Sequence, residues 1–370
     1  MEQFVDREEE LDRLTECYES ATAELAVIYG RRRLGKTELV KQSIADREDV
    51  IFYQAREKTK ALQLDQFASA AAEVFPGIER IQQEWEPLLG YLAEQDAIVV
   101  LDEFPYLIAE DESLPSVLQA MFDHELDSSA ATFVLVGSSI SMMEEAALLG
   151  NSPLYGRATE TLDIGQLPFS AAMELLGEPA DPVEGIHYWG VFGGTPYYLE
   201  AVADADTLGE AIFGTILTQH GRLHNDPDYV LRMELTEPSR YFSILEAIAG
   251  GAVTRNEIAQ TAGIDANQLS RYLDRLERLR LIERHVPITE DKQRSRRGRY
   301  RLLDPLFRFW FRFVYGSGTR YDAIGPESFD QLIEPELADF VSPVFERLCQ
   351  RALRGLYPDA TITDVGQWWY

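Results

Sequence analysis

Cysteine, lysine and long apolar runs are scarce in this sequence. Only Cys17 and Cys349 are present, 332 positions apart, which gives neither a disulfide framework nor a thiolate metal-ligand spacing. Both are expected as buried free thiols. No apolar run approaches the roughly 18 residues that a membrane-spanning helix needs, so no membrane partner is expected. The opening MEQFVDREEEL has neither a charged-then-apolar export signal nor a small-residue cleavage site, and a cytoplasmic location is expected. Of five histidines only His220 and His224 stand four apart, with no third ligand nearby. A zinc site is not expected.

Lysine accounts for 5 of the 34 basic residues, against 63 acidic ones, for a net charge of −29. An acidic, lysine-poor surface is expected of a halophilic cytoplasm, where salt screens the self-repulsion. Such a chain repels phosphate backbones unless its cations are clustered. The 370 residues, 45% of them apolar, are enough for two or three domains.

The apolar segment Glu24 to Tyr29 runs into Gly30-Arg31-Arg32-Arg33-Leu34-Gly35-Lys36-Thr37 and then the helix-like Glu38-Leu39-Val40-Lys41. This is strand, GxxxxGK[ST], helix, the pattern of a phosphate-binding loop. Its glycines let backbone N–H groups curl around phosphate oxygens, the helix N-terminus adds partial positive charge, Lys36 reaches the β- and γ-phosphates, and Thr37 offers a hydroxyl to Mg²⁺. The candidate nucleotide-binding residues are therefore Gly30 through Glu38. A second strand, Ala97 to Leu101, ends in Asp102-Glu103. Asp102 is the expected metal-side carboxylate and Glu103 the expected general base toward water. Asp49 to Tyr53 reads as a strand inserted between loop and carboxylates, which fits the additional-strand class of P-loop ATPases. A further strand, Ala131 to Val136, ends in Gly137-Ser138-Ser139, where a hydroxyl is placed either as a γ-phosphate sensor or as an ordinary turn residue.

These residues resemble the archaeal-type ATPase family, a branch of the signal-transducing (STAND) ATPases related to AAA+ proteins. The likeness spans nearly the whole chain and rests on Phe4 to Leu11, the Tyr29 to Thr37 loop, Leu101 to Phe104, Pro153-Leu154-Tyr155-Gly156-Arg157, and Gly193-Gly194-Thr195-Pro196-Tyr197-Tyr198-Leu199. The resemblance implies Val5 and Arg7 near an adenine and Ser138 or Ser139 as sensor. It implies Arg157 as a γ-phosphate or intersubunit arginine, with a surface salt bridge as the alternative. It also implies that the turn around Pro196 links nucleotide state to a helical lid.

From Arg240 to Arg301 there are 13 basic and 8 acidic residues, net +5, so the remainder carries −34. The cations are clustered. Helix-like stretches at Tyr241–Ala249, Arg255–Ala262 and Asn267–Leu279, with Gly263-Ile264-Asp265 as the turn, precede strand-like Leu281–Val286 and Arg299–Leu303. That order predicts a winged helix-turn-helix. Leu269, Leu273, Leu276 and Leu279 repeat at helical spacing as its core stripe. Gln268, Arg271, Arg275 and Arg278 lie off the stripe as groove-facing candidates, and Arg294, Arg296 and Arg297 form a wing tip suited to phosphates. DNA is the expected partner, and protein docking is the alternative.

The aromatic run Asp304 to Tyr315 is expected as a buried helix with Arg308 and Arg312 snorkelling outward. Residues 340–370 resemble the start of the family's restriction-nuclease-like domain, but Glu346 alone cannot assemble a metal site for phosphodiester cleavage. Nuclease activity is not expected.

The expected fold class is α/β: a P-loop NTPase core (1–169), a helical lid (170–237), a winged helix-turn-helix with bridging aromatic helix (238–315) and a partial C-terminal α+β domain (316–370). The expected function is a Mg²⁺-dependent ATP-hydrolysing switch coupled to a DNA-binding winged helix, in a regulatory or defence role. The alternatives are a nucleotide-stabilised docking scaffold and a DNA-targeting effector. ATP/ADP, DNA and either a second copy or a protein partner are the expected ligands.

Overall fold

The computed structural model describes residues 4–179, 181–235, 237–359 and 361–369. Tyr370, the last residue of the stretch that resembles the nuclease-like domain, lies outside them. Two compact units divide the chain, Met1–Gly165 and Gln166–Tyr370. Among the described residues no helix is long and apolar enough to cross a membrane.

The first unit is a five-stranded parallel sheet of β1 (Glu24–Tyr29), β2 (Val50–Gln54), β3 (Ile98–Asp102), β4 (Thr132–Gly137) and β5 (Glu160–Asp163), in the order β2-β3-β4-β1-β5. Period-two alternation sends successive residues to opposite faces, and helices cover both, so the strands read as continuous apolar runs. Leu25, Val27, Val99, Leu101, Phe133 and Leu135 enter one core. Ala26, Ile28, Ile98, Val100, Val134 and Val136 enter the other, with Leu39 and Val40 of the helix after the loop. Sequence order suggests β2 as the added strand; the sheet instead places β2 at its edge and β4 between the loop strand and the carboxylate strand. Thr132 pairs with Glu24 of β1 on one side and Ile98 of β3 on the other. Because all strands run the same way, their C-terminal ends converge on one rim, where ligands of open α/β sheets bind.

The second unit opens with helices Phe169–Leu175, Pro182–Phe192, Pro196–Val202 and Asp226–Glu234. Gly194 sits in a backbone contact: its carbonyl accepts from Leu167 N at 2.7 Å, and a Cβ there would lie 2.1 Å from Leu167 O and 2.9 Å from the Trp189 ring. Gly194→Ala is therefore expected to destabilise the fold by about 1–3 kcal/mol or more, read as a lowered thermal midpoint. An unchanged midpoint would contradict that packing.

The winged helix follows as helices Pro238–Ala249, Arg255–Ala262 and Ala266–Arg278, then the antiparallel β6 (Ile282–His285) and β7 (Arg299–Leu302). Thr254 and Glu257 form a capping box on its second helix, and Asp265 caps the third. Gly263 takes the left-handed conformation (φ 65°) that the intervening turn requires. Leu269, Tyr272, Leu273, Leu276 and Leu279 are buried. Along the wing, Tyr300 and Leu302 are buried while Arg299 and Arg301 face the other way. That second face is covered: Trp369 packs its ring 5.2 Å from His285 and under Arg299, and Ile288 N donates to Gln367 O at 2.9 Å. Desolvation in this contact, with Arg301 close by, lowers the His285 pKa to about 4.

Three expectations require correction. Cys17 is buried but Cys349 is exposed. Arg312 does reach outward to Glu336, whereas Arg308 folds back, its guanidinium 4.1 Å from the Phe340 ring centroid and bonded to the Phe340 carbonyl. Burial and the neighbouring Arg347 and Arg301 charges lower the Arg308 pKa to about 10. Finally, the described part of 316–370 contains helix, chiefly Glu334–Leu356, and no strand.

Candidate nucleotide site and nucleic-acid surface

The loop geometry follows from its glycines. Gly30 has φ 148°, and a Cβ there would lie 2.3 Å from the Ile164 carbonyl, so only glycine fits beside the chain leaving β5. Gly35 (φ 83°) caps the helix Lys36–Ser43, and Arg33 (φ 73°) bends the loop between them. Lys36, 6% exposed, donates Nζ to the Gly30 and Arg31 carbonyls, both at 2.8 Å. Leu34 anchors the loop in the core on the Leu39 side of the sheet.

Around that loop the rim assembles three strand ends. Asp102, 1% exposed at the end of β3, accepts from Thr37 Oγ1 at 3.0 Å, Gln54 Nε2 at 2.9 Å and its neighbour Glu103 N at 3.0 Å. Burial raises its carboxyl pKa; the Thr37 hydroxyl and the Gln54 amide pull the other way, and the Glu103 charge adds to the rise. Glu103 takes a left-handed backbone (φ 54°, ψ 43°), which turns the chain out of the sheet and into the helix Phe104–Glu110. Its carboxylate accepts from Ser138 Oγ at the end of β4, at 2.7 and 3.0 Å, and lies 3.8 Å from Arg32 of the loop. Arg32 also donates to Tyr106 Oη at 3.2 Å.

Lys36, Thr37, Arg32, Asp102, Glu103 and Ser138 thus stand at one rim of the sheet. Gln54 and Tyr106 join them without having been singled out. Gln54 carries a signal, a polar residue closing an apolar strand, and it pairs in register with Asp102. Tyr106, one helical turn past Glu103, carries none.

The remaining candidates make contacts of their own. Arg157 is not directed to the loop: it forms a two-pronged pair with Asp123 at 2.7 and 2.8 Å and donates to the Pro153 and Tyr155 carbonyls. This is the surface salt bridge that the sequence left as its alternative. Val5 is buried; Arg7 (φ 82°) precedes the helix Glu8–Tyr18 and donates to the Gly165 carbonyl at 2.5 Å and to Glu10 at 2.9 Å. Pro196 opens a helix in the second unit. On the winged helix, Gln268, Arg271 and Arg278 are exposed and Arg275 is half-buried, while Arg294, Arg296 and Arg297 are exposed at the wing tip. Arg297 also pairs with Glu290 at 3.1 Å.

Comparison with known proteins matches residues 4–202, more than half of the chain, to a family described as an ATPase domain predominantly from Archaea. The chain belongs to this archaeal ATPase family. Residues 236–294 match the MarR family, and residues 310–370 match archaeal and bacterial proteins of unknown function. The uncharacterized protein MJECL04 of Methanocaldococcus jannaschii is 36% identical over 372 residues, covering 99% of this chain and 82% of that one. Among solved structures, the Walker-type ATPase paby2304 of Pyrococcus abyssi gives a TM-score of 0.61 at 20% identity over 84% of this chain and 97% of that one. The Aeropyrum pernix ORC2 protein, solved as ADPNP–ADP complexes, gives 0.55 at 16% identity over 88% and 98%. At these identities the two structures establish the fold: a P-loop ATPase sheet followed by helices and a winged helix.

Proposed function

We propose that this archaeal ATPase binds and hydrolyses ATP and uses the nucleotide state to set the DNA affinity of its winged helix. The observation that carries the reading is the meeting, at one rim of the sheet, of the Lys36 loop, the Thr37–Asp102 bond and the Ser138–Glu103 pair. In this reading the backbone N–H groups of 30–37 and the Lys36 ammonium hold the triphosphate. Glu103, oriented by Ser138, orients and deprotonates the attacking water. Arg32, beside Glu103, supplies positive charge where the phosphates lie.

Thr37 and Asp102 fit a hard, oxygen-seeking cation: a hydroxyl and a buried carboxylate, 3.0 Å apart, whose charge burial leaves under-compensated. They would hold Mg²⁺, which when bound would neutralise phosphate charge. Nucleotide binding by the ORC2 neighbour, as ADPNP and ADP, supports the same ligand class here.

The fourfold division of the chain, with 170–237 as lid, belongs to this proposal, as does a cytoplasm rich in salt, which the charge of −29 supports. The coupling is tested by titrating the full chain into labelled duplex DNA of mixed sequence, with and without Mg-ATP, at stated salt. Wild type is expected to change affinity on adding ATP by about 5-fold or more, the usual scale of coupling between sites. Lys36→Ala is expected to show no ATP effect. Equal ATP responses in the two chains would remove the coupling.

A further inference from the structure

The winged helix holds a pair of arginines whose arrangement no sequence pattern announces. Arg240, on its first helix, and Arg271, on its third, both donate to one atom, the Tyr272 phenol oxygen, at 2.9 and 2.7 Å. Arg271 also lies over the Tyr272 ring, 4.7 Å from its centroid. The Tyr272 side chain is buried in the stripe that packs the third helix, so its oxygen is a fixed post to which two cations are tied. Among the described residues neither guanidinium has a carboxylate within 4.0 Å. Two like charges are thus held at one point, and among the described residues their side-chain acceptors are neutral, Tyr272 and, for Arg240, Gln268 Oε1 at 3.0 Å.

Beside Arg240 opens a cleft of about 290 Å³, whose lining includes Ser239, Ser243, Gly263, Asp265 and Gln268. The Asp265 carboxylate in this cleft is engaged as a helix cap, accepting from Asn267 N at 2.8 Å. A tetrahedral anion with several acceptor oxygens matches two fixed guanidinium forks better than any single carboxylate does. The cleft borders the exposed start of the third helix, where Gln268 is a groove-facing candidate, and a contact there would set that helix's register on a duplex.

We propose that Arg240 and Arg271, tied to the Tyr272 oxygen, form a seat for one backbone phosphate of duplex DNA. The assignment rests on the nucleic-acid reading above and goes beyond it by naming Arg240 and Tyr272 and by giving them a positioning task. Arg271 faces the backbone and does not read a base.

The test is fluorescence anisotropy of the full chain on a mixed-sequence duplex across a salt series, with thermal midpoints confirming that each variant folds. Arg240→Ala is expected to weaken binding about tenfold on every duplex and to reduce the slope of log affinity against log salt by about 1. Tyr272→Phe keeps both charges and the buried ring but removes the post; it is expected to weaken binding several-fold with the slope retained. Arg354→Ala, an equal charge change on an exposed helix position outside the module, is expected to leave both quantities near wild type. Equal losses in Arg240→Ala and Arg354→Ala would reduce the effect to net charge and overturn the seat, as would wild-type affinity in Tyr272→Phe. If the wild-type chain binds no duplex at any salt, the nucleic-acid reading fails and the seat falls with it.

Discussion

Replacing Glu103 with glutamine is expected to lower steady-state ATP turnover about 10²–10⁴-fold, the usual worth of a positioned general base, with nucleotide affinity essentially unchanged. The separation follows from geometry. Glu103 leaves β3 through a left-handed residue that aims its side chain along the rim, toward the Ser138 hydroxyl and Arg32. Lys36, by contrast, donates to the Gly30 and Arg31 carbonyls, and of the loop side chains it is Arg32 that lies beside Glu103. Glutamine retains the shape and can still accept from Ser138, so binding and folding are preserved while the proton acceptor is lost. A docking scaffold that holds nucleotide without splitting it predicts the opposite: low turnover in wild type, indifferent to this substitution. Steady-state phosphate release by both chains, alongside nucleotide binding, separates the two.

The parts of this site that the sequence revealed are those that chemistry requires to be contiguous. A phosphate loop needs its glycines, lysine and threonine within eight positions, and the Asp102-Glu103 pair must follow an apolar strand. The winged helix was legible for a similar reason, because the Gly263-Ile264-Asp265 turn is a local signal between two helix-like stretches. Strand order was not, since nothing in a run of apolar residues says whether β2 or β4 lies beside β1; that depends on crossovers. Gln54 and Tyr106 reach the site from separate segments and were missed. Arg157 was left between two readings and Arg308 was misjudged, because Asp123 and Phe340, the partners that hold them, are 34 and 32 residues away. Tyr272, in the core stripe, had no signal that its oxygen would gather two arginines.

Asp102→Asn is expected to trade function for stability. Burial of the Asp102 carboxylate raises its pKa above the ordinary 3.8, with the Glu103 charge adding to the rise, against the hydrogen bonds from Thr37, Gln54 and the Glu103 amide. A carboxyl whose folded value exceeds its unfolded value contributes stability that is fully present below 3.8 and is lost as pH rises through the folded value. At neutral pH, therefore, the ionised group opposes folding unless a cation lies against it. Asparagine has nearly the same shape, and its three contacts can persist: the Thr37 hydroxyl can reverse its role and the Gln54 amide can turn over to face the new NH₂ group. Without nucleotide, Asp102→Asn should be more stable than wild type by about 1 kcal/mol at neutral pH, as is common where a functional site is relieved of strain. That advantage should shrink on acidification toward 3.8, where the wild-type group gains its proton. With Mg-ADP the order should invert, because the cation stabilises only the chain that keeps the carboxylate, and ATP turnover should fall by about 10²-fold or more, on the scale of losing one electrostatic stabiliser. Thermal midpoints with and without Mg-ADP at two pH values decide it. A variant that is less stable than wild type without nucleotide, yet keeps its Mg²⁺-dependent turnover, would make Asp102 a structural bracket for Thr37 and Gln54 and leave the metal-side role to another group.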